Sequence, residues 1–210
     1  MEGFEKNRKM KKIVFLLLII FIVGCQPVVE KKEGGMRKMG DVLLIVAQKD
    51  FQPVEYGDTR AELERAGYDV DVASITTDIA VGADGSEVKP DVAVKDADLS
   101  KYKAVVLIGG PGAPALGEHS EVINLIKQAD NKGKIVAAIC ISPTILAKAG
   151  VLDGKKATVW NGDGKQAEVL TTAGAEFVDE PVVQDDRIIT ANGPPVAKTF
   201  GKKIAEVLGG

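Results

Sequence analysis

One thiol in the body of the chain, Cys140, closes the apolar run Ile135-Val136-Ala137-Ala138-Ile139 and is followed by Ile141-Ser142-Pro143. The run is rich in small and β-branched residues and predicts a buried parallel strand. Thr144 to Ala149 predicts a helix, with Pro143 tolerated in its first turn and Gly150 as its stop. A cysteine at such a strand-to-helix turn matches a nucleophile elbow, in which the N–H of the next residue, here Ile141, serves a developing oxyanion. Unpaired N–H groups and the positive end of the helix dipole favour the thiolate there, so the thiol pKa is expected to be lowered. A buried structural cysteine is the commonest fate of a free Cys. Turn context alone leaves both readings open.

The elements that would position this thiol follow a βα rhythm. Val42 to Ala47 reads as a first strand, Gln48 to Gln52 as the loop after it, and Pro53 as the opening of a helix capped by Gly67. Tyr68 to Ser74 is the second strand. Asp84-Gly85 between Ile79-Val81 and Val88-Val94 predicts a β-hairpin excursion. Lys103 to Ile108 is the next central strand, and Glu121 to Asn131 a helix with Ser120 as N-cap. Beyond the elbow come Ala157 to Trp160, a helix near Lys165 to Ala173, short strands around 176 to 190 and a helix from about 195 to 208. Strands alternating with helices imply α/β architecture, a mainly parallel sheet covered on both faces, whose carboxyl ends meet in one crevice.

That crevice would gather Glu55 from the segment after the first strand, the Gly109-Gly110 turn from another strand, and Cys140 from a third. Gly110 N–H and Ile141 N–H are the candidate oxyanion hole, with Gly109 as a pocket residue. A carboxyl beside a thiolate is pushed toward its neutral acid, which can donate a hydrogen bond to sulfur or act as general acid/base. The alternative for Glu55 is a solvated first-turn glutamate favoured by the helix dipole. Gly110-Pro111-Gly112-Ala113-Pro114-Ala115 superficially matches the dinucleotide pattern G-x-G-x-x-A, but its two prolines and the lack of a prompt helical run make it an active-site loop.

The run Ala-Ala-Ile-Cys-x-x-Pro-x-x-Leu-Ala-x-Ala-Gly-x-Leu, Ala137 to Leu152, closely resembles the elbow segment of the DJ-1/PfpI (ThiJ/PfpI) superfamily, which has a class I glutamine amidotransferase-like fold. Val105-Val106-Leu107-Ile108-Gly109-Gly110 is similar to its strand ending in a Gly-Gly turn. Asp50 to Glu55 is similar to its first helix, where a glutamate reaches toward the cysteine, and Arg187 to Pro194 to its last strand. Four motifs in order cover about 41 to 208. The resemblance implies a flavodoxin-like three-layer α/β/α sandwich that commonly forms a homodimer or higher homo-oligomer. It also implies cofactor-independent glyoxalase- or deglycase-like activity on small carbonyl compounds. The alternative is a redox sensor or stress-protective protein whose cysteine meets an oxidant and becomes sulfenic or sulfinic acid. A binding module with an inert cysteine is the third reading. Protease activity is disfavoured, because family members of that kind place a histidine where Ile141 stands; others place one where Trp160 stands, which reads instead as an apolar pocket wall. The one histidine, His119, reads as a surface residue.

Composition bounds the rest. With 27 Lys+Arg against 30 Asp+Glu the chain carries no basic excess for nucleic acid, and a lone thiol and a lone imidazole cannot make a zinc site, so no metal is expected. Lys6, Arg8, Lys9, Lys11 and Lys12 precede an apolar stretch, residues 13–23, closed by Gly24-Cys25. This reads as an export signal over 1–24, and Ile22-Val23-Gly24-Cys25 resembles a lipobox whose Cys25 would be lipidated. The polar segment 25–40 reads as a tether, and 41–210 as the domain. A lipid-anchored envelope protein follows. The alternatives are an uncleaved signal anchor, or a cytoplasmic protein with its true start at Met36 or Met39.

Overall fold

The computed structural model describes residues 41–210. The expected signal, Cys25 and the tether lie outside the described residues. In chain order the elements are β1 (Val42–Ile45), β2 (Lys49–Phe51), α1 (Pro53–Arg65), β3 (Val70–Ser74), β4 (Ala80–Gly82), β5 (Glu87–Val88), β6 (Val92–Ala93) and β7 (Ala104–Leu107). Then come α2 (Ala113–Leu116), α3 (Ser120–Asn131), β8 (Ile135–Ile139), α4 (Pro143–Lys148), β9 (Lys156–Ala157), α5 (Gln166–Thr172), β10 (Glu176–Phe177), β11 (Val182–Asp185), β12 (Ile188–Ala191) and α6 (Ala197–Gly209).

The central sheet runs β11-β12-β8-β7-β1-β3-β6 and is parallel except for the β11–β12 pair. β1, β7 and β8 are short apolar runs with every residue buried, as strands covered on both faces must be. Helices α1 and α6 pack together over one face, and α3 covers β7 and β8 from the other. Gly201 permits the α1–α6 approach: a Cβ there would stand 2.9 Å from Glu62 Cβ and 3.0 Å from the Thr59 carbonyl. The chain is an α/β sandwich of flavodoxin-like type. Among the described residues no helix is long and apolar enough to cross a membrane.

Four local expectations are corrected, the first being that no helix promptly follows Gly110: Ala113–Leu116 forms the four-residue α2. Segment 48–52 is not all loop: Lys49–Phe51 forms β2, which pairs in parallel with β4 and so makes the excursion a three-stranded sheet, β2-β4-β5. Its polar, exposed Lys49 and Asp50 hide a strand that is only edge-bonded. The second hairpin arm does not run unbroken from Val88 to Val94. It divides at Pro90, which has no N–H for a ladder, into β5 in the small sheet and β6 beside β3. Helix α3 begins one residue early, with extended His119 in the cap position and Ser120 already helical.

Candidate active site

Cys140 immediately follows β8, and its backbone φ of +64° lies in the left-handed region that a non-glycine residue enters only when its surroundings hold it there. The surroundings are explicit. Cys140 N–H donates to the Ala191 carbonyl at 2.8 Å, and Trp160 N–H donates to the Cys140 carbonyl at 2.8 Å. The turn into α4 is closed by Ser142 N–H to the Ile139 carbonyl and Thr144 N–H to the Ile141 carbonyl. The buried Ser142 hydroxyl does not cap α4 but donates to the Ile108 carbonyl at 2.9 Å, tying the elbow to the end of β7.

The Gly-Gly turn beyond β7 is clamped from its other side. Gln52 N–H donates to the Gly109 carbonyl at 2.9 Å and Gly112 N–H to the Asp50 carbonyl at 3.0 Å. Gly110, at φ +116°, has Gln52 N only 2.5 Å from where a Cβ would stand, so chirality and space both demand glycine. At Gly109 a Cβ would stand 2.5 Å from Cys140 Cβ and 2.7 Å from Glu55 Oε2. Thiol, carboxyl and turn therefore share one side-chain-sized space.

Glu55, in the first turn of α1, is fully buried rather than solvated. Its Oε2 accepts from Gly109 N–H at 2.9 Å, its carboxyl interacts with the Cys140 thiol, and no fully formed hydrogen bond reaches its buried Oε1. Burial pushes the carboxyl up to about 7 against the pull of those two contacts. The expected lowering of the Cys140 pKa is corrected. Burial first, then the Glu55 charge, push the thiol up to about 12, and the N–H groups of Gly110 and Ile141, both directed at the sulfur, only partly oppose this. Helix α4 has six residues, too short for its dipole to outweigh burial. Near neutral pH the pair resists losing two protons, and the thiol keeps its own unless the carboxylate takes it.

Cys140, Glu55, Gly109, Gly110 and Ile141 thus meet at the carboxyl edge of the sheet. Trp160 reaches the elbow through its backbone, while its side chain lies against Gly162 and lines a neighbouring cavity. His119 Nδ1 sits 3.5 Å from Glu121 Oε1 at the start of α3 and lines a different hollow with Asp50 and Leu116. No group of three His, Cys, Asp or Glu among the described residues could hold a metal. Ser142 was not legible as part of the site, because a serine before Pro143 reads as an ordinary helix cap. The sulfur, a carboxyl able to take or give a proton and two N–H donors suit addition to an electrophilic carbonyl.

Known proteins share the sequence pattern and the fold of this chain. Residues 41–207 match the DJ-1/PfpI family. An uncharacterized protein of Methanocaldococcus jannaschii is 36% identical over 203 residues, 95% of this chain and 98% of its own length. The glutathione-independent glyoxalase DJR-1.2 of Caenorhabditis elegans is 31% identical over 83% of this chain and 92% of its own length. The crystal structure of a ThiJ/PfpI domain protein from Brachyspira murdochii superimposes with a TM-score of 0.76 at 30% identity, covering 80% of this chain and 95% of that one.

Proposed function

Because the chain belongs to the DJ-1/PfpI family, we propose that it converts small reactive carbonyl compounds, α-oxoaldehydes such as methylglyoxal, by covalent catalysis at Cys140. The supporting observation is the buried Glu55 carboxyl against the elbow thiol, with Gly110 and Ile141 N–H groups on the same sulfur. Above pH 7 the Glu55 carboxylate takes the thiol proton as Cys140 Sγ bonds to the aldehyde carbon. The oxygen that gains charge lies near the two N–H groups and receives the proton to give a hemithioacetal. Glu55 then moves the proton from the former aldehyde carbon to the neighbouring carbonyl carbon through an enediol, leaving a thioester. Water hydrolyses the thioester, freeing the thiol and a 2-hydroxy acid. Electrons balance within the substrate, so no step draws on a cofactor.

The test is conversion of methylglyoxal to lactate. Turnover by the intact chain, lost by at least about a hundredfold in Cys140→Ser and Glu55→Gln, is the expected result. Absence of turnover, or its survival in Cys140→Ser, would overturn the proposal. A second reading is supported by the same Glu55: a neutral acid near pH 7 can donate a hydrogen bond to a sulfinate oxygen on Cys140. Selective gain of two oxygen atoms on Cys140 with about two equivalents of peroxide per chain, without methylglyoxal turnover, would favour a redox sensor. The leader over 1–24 would place this chemistry at a membrane surface through Cys25; fatty-acid labelling lost in Cys25→Ser tests that placement.

A further inference from the structure

On the β12 side of the elbow lies a cavity of about 470 Å³, walled by the segments that follow β9 and β12 and by the end of β10 with the residues just after it. It borders the elbow directly. Trp160 is bonded through its N–H to the Cys140 carbonyl, and Ala191, which receives the Cys140 N–H, leads into the lining residue Asn192. Cavity and thiol therefore occupy the same carboxyl edge of the sheet.

Two lining groups set its chemistry. Trp160, the one tryptophan of the chain, keeps 40% of its surface exposed. Its indole is seated over Gly162, where any Cβ would stand 2.5 Å from Cζ2, so a larger residue would unseat the ring. Asp179 is the one charged group in the lining, with Phe177 and Asn192 among its neighbours, and no lysine or arginine lines the cavity. Asp179 enters no ion pair among the described residues. An aromatic face and an unpaired carboxylate in one hollow both attract positive charge, through the ring quadrupole and directly, while a neutral ligand of equal shape gains only apolar contact.

We propose that this cavity is a subsite for an organic cation, a guanidinium or an ammonium, held between the Trp160 indole and the Asp179 carboxylate. The subsite deepens the carbonyl-converting reading and rests on it in one respect: the cation belongs to a substrate whose carbonyl end reaches Cys140.

Trp160 fluorescence reports occupancy without turnover. The full chain is titrated with N-acetylarginine amide, N-acetyllysine amide and the neutral N-acetylcitrulline amide. A saturable change with at least one cation, at a Kd about tenfold below that of the citrulline probe, is the expected result. The cation that shows the preference identifies the group. In Asp179→Asn, a substitution at an exposed position, the preference is expected to fall to about threefold or less. Equal affinity for cations and citrulline amide, no saturable change with either cation, or an undiminished preference in Asp179→Asn would overturn the subsite. A chain that prefers the cations but converts no methylglyoxal retains the subsite and loses the carbonyl reading. Turnover of methylglyoxal without cation preference does the reverse.

Discussion

Glu55 and Cys140 arrive from opposite sides of the Gly109-Gly110 turn and compete for one proton. The carboxyl is held up to about 7 by burial, the thiol up to about 12 by burial and by the carboxylate beside it. The site is therefore organised around proton exchange between the two, with the carboxylate as the base that frees the sulfur at the moment of attack.

The same burial sets a pH dependence of stability. A carboxyl raised from 4.5 in the unfolded chain to about 7 in the fold contributes stability that is fully present below 4.5 and lost as pH rises through 7. The loss is on the order of 3 kcal/mol. Glu55→Gln is expected to flatten the fall in Tm between pH 5 and pH 8 and to exceed the unmodified chain in Tm at pH 8. Thermal melts across that range check it, and parallel slopes would contradict it.

Gly109→Ala is expected to damage the site more than the fold. The added methyl meets Cys140 Cβ and Glu55 Oε2 at 2.5 and 2.7 Å, distances that require both to move. A stability loss of about 1–3 kcal/mol should accompany a fall in kcat of at least about a hundredfold, because the displaced groups are the reacting ones. Denaturant melts and methylglyoxal kinetics on one preparation separate the two effects.

Ser142→Ala removes the donor to the buried Ile108 carbonyl and leaves that acceptor unpaired, at a cost of about 1–3 kcal/mol. Since the bond ties the elbow to the strand that supplies Gly110 N–H, kcat is expected to fall while KM changes little. Ser142→Thr, which keeps the hydroxyl, should recover part of the loss. A stability change with kcat intact would reduce Ser142 to a packing role.

Much of the fold was legible because its central strands are short apolar runs separated by helical stretches, and such strands can only be buried between helix layers. Elements held by few bonds were not: β2 carries the polar pair Lys49-Asp50, and β5 and β6 have two residues each. For the site, turn position identified Cys140, but its proton affinity depends on burial, which Cys140-Ile141-Ser142 does not disclose. The partnership of Glu55 with Cys140 came through family resemblance, since no local pattern links α1 to the end of β8. Trp160 was legible as a pocket wall through the same resemblance, but Asp179 beside it was not, because three separate segments build that cavity.

The proton shared by Cys140 and Glu55 is tested most directly by the pH dependence of Cys140 alkylation by iodoacetamide in the folded chain and in Glu55→Gln. The expected result is a rise in rate with an inflection near pH 7 in the unmodified chain, where the Glu55 carboxylate becomes available, and its absence from Glu55→Gln. One inflection near the ordinary thiol value of about 8.5, the same in both proteins, would contradict it.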